Sequence, residues 1–354
     1  MAIETPPTAP PPKLWRKTPL IESRTLSNSA GCRIHLKLEN HQPSGSFKSR
    51  GIGSYMLSIL SSRSSTSPTP HFYSSSGGNA GLACVAAALT LGCPASVVVP
   101  LSTKPLMIEK IKAAGASQVL QHGKSWQEAD DYLRQVVLPN DKAGVYVPPF
   151  DAPAIWAGHG TLVTEVVEQL GGVEPQAVVC SVGGGGLFCG IVRALEERGS
   201  QTSVVAVETK GAESLAESLK AGEVVTLKGI SSQATSLGAV RVAEEAWRLA
   251  KSERVHSVVL DDREAERGCV MLAEQERVMV ELACGVNVAM CQPGYLEKAL
   301  GRPVRADDVV VIVVCGGSNV TIEMLCQWKK DDIERREANG KTGVNMEIIQ
   351  KKDG

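Results

Sequence analysis

The feature that most constrains this chain is an alternation. Short runs rich in β-branched residues recur along it, and each is followed by a longer segment whose apolar side chains repeat at helical spacing. Strands separated by helices pair in parallel, because each crossover helix returns the chain to the edge where the last strand began. Candidate strands are 34–38, 71–75, 95–99, 118–121, 145–147, 177–181, 203–207, 257–260 and 309–314. Nine strands point to more than one sheet. The expected fold is α/β, with two open twisted, mainly parallel sheets flanked by helices, a smaller domain inserted in a larger one, and a cleft between them. The boundaries read as 1–48 with 148–330 for the larger domain, 49–147 for the smaller, and 331–354 for a charged, mobile C-terminal tail. Residues 5–12, rich in proline, read as an extended arm.

Composition narrows the function classes. Of 354 residues, 43% are hydrophobic and 21% charged, and the formal net charge is −1. That balance gives no electrostatic reason to expect a nucleic acid or an anionic membrane as partner. No run of about 18 apolar residues is present to span a bilayer, and no secretory signal opens the chain, so a cytoplasmic protein is expected. The ten cysteines never fall as Cys-x-x-Cys, and read as reduced, mostly buried thiols. The paired acids Asp130-Asp131, Asp261-Asp262 and Asp307-Asp308 read as solvated caps and turns, and no histidine has metal-ligand spacing.

Four stretches carry chemistry. In Pro43-Ser44-Gly45-Ser46-Phe47-Lys48-Ser49-Arg50-Gly51 a lysine opens a helical segment. The partial positive charge of a helix start disfavours an ammonium ion and favours a neutral, nucleophilic amine, suited to a Schiff base. In Ser74-Ser75-Ser76-Gly77-Gly78-Asn79-Ala80-Gly81 a strand turns into a helix through small residues, which gathers backbone N–H groups for an anion such as a carboxylate. Gly183, Gly184, Gly185 and Gly186 follow the third run, and four consecutive glycines let backbone N–H groups wrap a phosphate. Neither a Walker loop nor a complete G-x-G-x-x-G is present there, so a small phosphorylated cofactor fits better than a nucleotide. The fourth, Val309 through Val314 and then Cys315-Gly316-Gly317-Ser318-Asn319, is a buried strand that ends in a thiol and a glycine turn.

Together these stretches resemble the fold-type II, tryptophan synthase β-like, pyridoxal-phosphate enzymes, and within them the L-serine/L-threonine dehydratases. PSGSFKSRGIG, SSSGGNAGLA, YVPPFDAPAIWAGHG, SVGGGGLFCGIV, VETKGAESL, ELACG and VVCGGSN stand in the family's order. The resemblance implies pyridoxal 5'-phosphate in the cleft, linked to Lys48, which also moves protons. It implies Phe47 against the pyridine ring, Asn79 at the phenolic oxygen, Gly183 to Gly186 with Leu187 at the phosphate, and Cys315 at the ring nitrogen. Ser76, Gly77, Gly78, Asn79 and Ala80 would hold the substrate carboxylate. Gly183, Glu208, Ala212, Ser214, Leu237 and Ala239 would hold a monovalent cation, with K+ the candidate. The sequence departs from relatives at Gly77, where alanine is usual, and at Leu282, where many have proline.

The implied reaction is elimination and deamination of L-serine or L-threonine to a 2-oxo acid and ammonia. A thiol facing the ring nitrogen reads as a weak, neutral partner, which makes a shallower electron sink than an Asp would. A homodimer is implied. The same residues leave open β-replacement, amino-acid racemisation, and a non-catalytic relative that binds the cofactor or an amino acid.

Overall fold

The structure is a computed structural model that describes residues 13–64, 66–339 and 346–351. The proline-rich stretch 5–12 and the last residues of the tail lie outside the described residues. Eleven strands form: β1 (Leu20–Glu22), β2 (Arg33–Leu38), β3 (His71–Ser74), β4 (Ala95–Val99), β5 (Gln118–Gln121), β6 (Gly144–Tyr146), β7 (Ala177–Ser181), β8 (Ser203–Thr209), β9 (Val255–Leu260), β10 (Val309–Val314) and β11 (Met346–Ile348). All nine expected strands are among them.

One sheet has the order β1-β2-β10-β7-β8-β9-β11, and the other β5-β4-β3-β6. The five central strands of the first are mutually parallel, with β1 and β11 antiparallel at its edges. The second sheet is wholly parallel. Every strand of the second sheet lies in the chain between β2 and β7, so the smaller sheet is nested within the larger. Strand β10 reads VVVIVV and is buried along its whole length, as a central strand covered on both faces must be. In the small sheet Phe72, Val97 and Val99 enter one apolar cluster while Tyr73 and Val98 enter another, the two-residue alternation of a pleated strand. Leu14, Ile52, Met56 and Ile155 complete the first of these clusters, two of them from outside 49–147.

Two expectations need correction. The tail is part of the fold: the helix Ile322–Asn339 runs into it, with Arg335 on Glu266 at 3.2 Å and Asp332 on Arg267 at 2.8 Å, and β11 pairs with β9. Asp130 and Asp308 are buried rather than solvated. Asp130 accepts from the Tyr146 hydroxyl at 2.6 Å, and Asp308 from Arg302 at 2.7 Å. All ten cysteines are free thiols, Cys326 exposed and Cys93 half-buried. No helix among the described residues is long and apolar enough to cross a membrane.

The helix Lys48–Ser62 is anchored by buried charge. Arg50 is fully buried and grips Glu39 at 2.7 and 2.8 Å and Glu165 at 2.8 and 2.7 Å. Lys37, also fully buried, meets Glu165 at 2.7 Å and Gln169 at 2.8 Å. Two cations and two carboxylates balance, and their remaining hydrogen-bonding capacity goes to Thr18, Gln42 and Thr161. A buried ion needs this degree of pairing.

Candidate active site

The site forms where the carboxyl ends of the parallel strands meet the insertion, the place where open α/β sheets bind ligands. Strand β2 ends beside β10, with Leu38 opposite Val314. The chain beyond β2 passes through a loop to Phe47, the cap residue of the helix that Lys48 begins. That loop is stitched to the segment after β10: Phe47 N–H donates to Cys315 O at 3.1 Å, and Gly317 N–H to Gly45 O at 3.0 Å. Lys48 and Cys315 therefore share one end of the large sheet.

Lys48 is half-buried, and its Nζ donates to the carbonyl of Pro149 at 2.6 Å. Burial lowers its basicity from the ordinary 10.5 to about 8, while Cys315 opposes that fall. Such an amine keeps a far larger neutral fraction near physiological pH than an ordinary lysine, and an attacking amine must be neutral. We predict that covalent loading of the cofactor-free protein with pyridoxal phosphate, followed by absorbance, accelerates with pH to a midpoint near 8. A midpoint near 10.5 contradicts this. Phe47 lies against His159, ring centroids 5.0 Å apart. His159 is fully buried, has no partner for either ring nitrogen among the described residues, and is held neutral chiefly by burial.

The glycine loop follows β7. Gly185 has φ 91°, a left-handed backbone that suits glycine, and caps the helix Gly186–Glu197, whose first N–H groups lack intrahelical acceptors. A Cβ at Gly184 would lie 2.4 Å from the Phe150 ring, and one at Gly186 would lie 2.6 Å from Phe150 O. Phe150 leaves no room for a side chain at Gly184 or Gly186, so the loop itself offers only backbone groups, and its N–H groups at the helix start suit a phosphate. Leu187 is buried in the first turn.

The asparagine loop approaches from the small sheet. Gly78 N–H bonds back to Ser76 Oγ at 3.3 Å, and a Cβ on Gly77 would meet Thr103 Cγ2 at 2.8 Å. Ala80 is buried. Asn79 opens the helix Asn79–Thr90, accepts from Ser318 N–H at 3.2 Å, and donates to Glu281 at 2.7 Å. The segment 315–319 thus touches both the lysine loop and the asparagine loop.

Within the expected cation set, Glu208 is fully buried and accepts from the N–H groups of Leu215 and Ala216, each at 2.8 Å. Burial pushes its carboxyl up to about 8. The neighbouring Ser214 Oγ is buried without a partner among the described residues. A Cβ at Gly183 would stand 3.2 Å from Leu237 O, which accepts from Ala239 N–H at 2.7 Å, while Ala212 N–H turns back to Thr209 O at 2.9 Å. Among the described residues no cluster of three or more His, Cys, Asp or Glu side chains could hold a metal ion.

Sequence reasoning missed Pro149 and Phe150, which touch Lys48 and the glycine loop, although both stand in the YVPPFDAP run. It also missed Glu281, a buried carboxylate whose basicity burial raises and which joins Asn79 to Asn319 N–H. Its signal was a glutamate immediately before a helix whose first residue is Leu282, the position where proline is favoured.

A half-buried, weakly basic lysine on Pro149 O, with the adjoining Phe150 packed on a glycine loop at a helix start, suits a small phosphorylated cofactor held through an amine. The chain belongs to the family of pyridoxal-phosphate dependent enzymes, whose model matches residues 12–316. It is 42% identical over 322 residues to an "L-serine dehydratase" of Saccharomyces cerevisiae (strain AWRI1631), covering 87% of this chain and 95% of the relative. It is 40% identical over 320 residues to an "L-serine dehydratase/L-threonine deaminase" of Bos taurus, covering 90% and 95%. The crystal structure of a fungal L-serine ammonia-lyase from Rhizomucor miehei superposes with a TM-score of 0.82 at 32% identity, covering 90% of this chain and 98% of that one. The cofactor is pyridoxal phosphate.

Proposed function

We propose that this protein is a pyridoxal-phosphate dependent ammonia-lyase that eliminates water from L-serine or L-threonine to give a 2-oxo acid and ammonia. The observation that carries the reading is the Lys48 amine, lowered to about 8 by burial, acted on by Cys315 and bonded to Pro149 O, next to the Phe150 that packs on the glycine loop. Relatives named for this reaction at about 40% identity over most of the chain support it.

The cofactor supplies a conjugated electron sink next to the substrate Cα. In this reading Lys48 would tether it and, as a free amine, would take the α-proton of the substrate. Phe47 would pack against the ring, Asn79 would bond its phenolic oxygen, Cys315 would face its nitrogen, and the N–H groups of 183–187 would hold the phosphate. The substrate carboxylate sits on the 76–80 loop, whose helix start favours an anion. Loss of the Cα–H and Cβ–O bonds releases water, and hydrolysis then releases ammonia.

The test is 2-oxo acid release from L-serine and from L-threonine by the cofactor-loaded protein in potassium buffer. Pyruvate or 2-oxobutyrate is expected. D-serine alone would favour racemisation, and a product that appears only with an added thiol would favour β-replacement.

The residue sets 1–48 with 148–330, and 49–147, are in this reading two domains with the cofactor between them. The protein works in the cytoplasm, as a homodimer. Glu208, Ser214 and the carbonyls near Gly183 and Leu237 hold K+. A carboxyl pushed up from 4.5 to about 8 in the folded state stabilises fully below 4.5, and that contribution is lost as pH rises through about 8. A bound cation offsets the loss. K+ is therefore expected to raise the thermal midpoint above that in tetramethylammonium at equal ionic strength, with a gap that widens as pH rises toward 8. A gap independent of pH contradicts the assignment.

A further inference from the structure

Just beyond β10, the Cys315 thiol is met from three sides by hydrogen-bonding groups. Asn287, on the helix Leu282–Ala289, is fully buried, and its amide nitrogen donates to Val313 O at 3.0 Å and to Cys315 Sγ at 3.5 Å. The carbonyl contact decides which end of the amide faces the strand, because only the NH2 end can donate to a carbonyl. One N–H is taken by Val313 and the second is aimed at sulfur. Asn287 Oδ1 has no partner among the described residues, so nothing pulls the amide the other way. The Ser181 hydroxyl lies 3.6 Å from the same sulfur, at the end of β7. Cys284, one turn before Asn287, is hydrogen-bonded to it as well. The other titratable groups that act on Cys315 are Lys48 at the start of its helix, Glu39 in the turn after β2, and Cys180 on β7.

The electrostatic outcome sets this thiol apart. Burial pushes Cys84, Cys180, Cys189, Cys269, Cys284 and Cys291 upward. Cys315 is equally buried yet is held below the ordinary thiol value, chiefly by the hydrogen bond from Cys284 and, against burial, by those from Ser181.

We propose that Asn287 is a positioning residue which, by donating to Cys315 Sγ, makes Cys315 a hydrogen-bond acceptor toward the cleft, so that the cofactor ring nitrogen it faces carries the proton. This rests on the placement of Cys315 against that nitrogen proposed above. The proton leaves sulfur and binds the ring nitrogen, and no electrons are exchanged. The consequence reverses the expectation of a weak, neutral partner, because a protonated ring draws electrons from Cα more strongly.

Two measurements test it. In the cofactor-free protein, ultraviolet thiolate absorbance is titrated against pH as the difference from Cys315→Ser. The midpoint is expected below the ordinary 9.0. Asn287→Leu keeps the shape and removes the donor, and Asn287→Asp keeps the shape and reverses the polarity, so each should raise the midpoint while the contacts from Cys284 and Ser181 remain. Should the leucine variant not fold, the aspartate variant carries the test. A midpoint that neither moves overturns the proposal.

In the loaded protein, with the cofactor isotopically labelled at its ring nitrogen, the nitrogen resonance is expected at the protonated position and displaced in both Asn287 variants. An unprotonated resonance in the unmodified protein overturns the proposal. A resonance that Cys315→Ser leaves unmoved overturns the placement of Cys315 itself. One moved by Cys315→Ser and by neither Asn287 variant overturns only the role of Asn287.

Discussion

Replacing Lys48 with alanine is expected to lower 2-oxo acid release at least about a thousandfold, since both the tether and the proton-transferring base are lost. Borohydride reduction of the loaded protein should place the cofactor on the peptide that contains Lys48, and mass spectrometry of the variant should find it nowhere. Stability should change by less than about 1 kcal/mol, because the half-buried amine makes one polar contact, to Pro149 O. Label on another lysine, or activity retained in the variant, would remove the central residue of the proposed function. Free alkylamine added to the alanine variant should restore part of the rate if proton transfer, rather than loss of the fold, is what was removed.

The second large effect concerns stability. Arg50→Met is expected to cost about 3–5 kcal/mol, read as a fall in the urea midpoint with unchanged slope. The apolar stem is preserved, so packing is not the cause. What is lost is the guanidinium that joins Glu39 to Glu165, leaving a buried and a half-buried carboxylate with Lys37 on Glu165. Glu165→Gln should cost less, because the amide oxygen can still accept from Lys37 or Arg50. Arg50 sits two residues after Lys48, so cofactor affinity should fall in Arg50→Met as well. A cost below about 1 kcal/mol would mean that the network contributes little beyond its own desolvation.

The strands of the central sheets were legible because they are fully buried and therefore apolar throughout, as in 95–99 and 309–314. The glycine loop was legible because four glycines in a row have few other uses. β1 and β11 were not legible. Each is three residues long at a sheet edge, where half-exposed residues such as Glu22 and Glu347 break the pattern. The tail misled for a related reason. Its charge is the exposed face of a helix, whose acidic and basic residues find partners on the helix Asp262–Glu276.

The site divides in the same way. Lys48, Asn79, the glycines and Cys315 each sit in a local motif whose chemistry needs only neighbouring residues, so sequence alone named them. Pro149, Glu281 and Asn287 act through contacts made across the fold, to Lys48, Asn79 and Cys315 respectively. The buried charge network joins residues 37, 39, 50 and 165 from three separate elements, and no spacing rule links them.

By itself, then, the sequence determined the alternation of elements, the parallel sheets and the lysine proposed as the cofactor's attachment point, all properties of short segments. Tertiary structure alone decided how basic Lys48 is, what anchors its helix, and which groups aim at the Cys315 thiol. Those depend on desolvation and on donors brought from distant parts of the chain, and a linear order of residues does not specify either until the sheets have closed around the site.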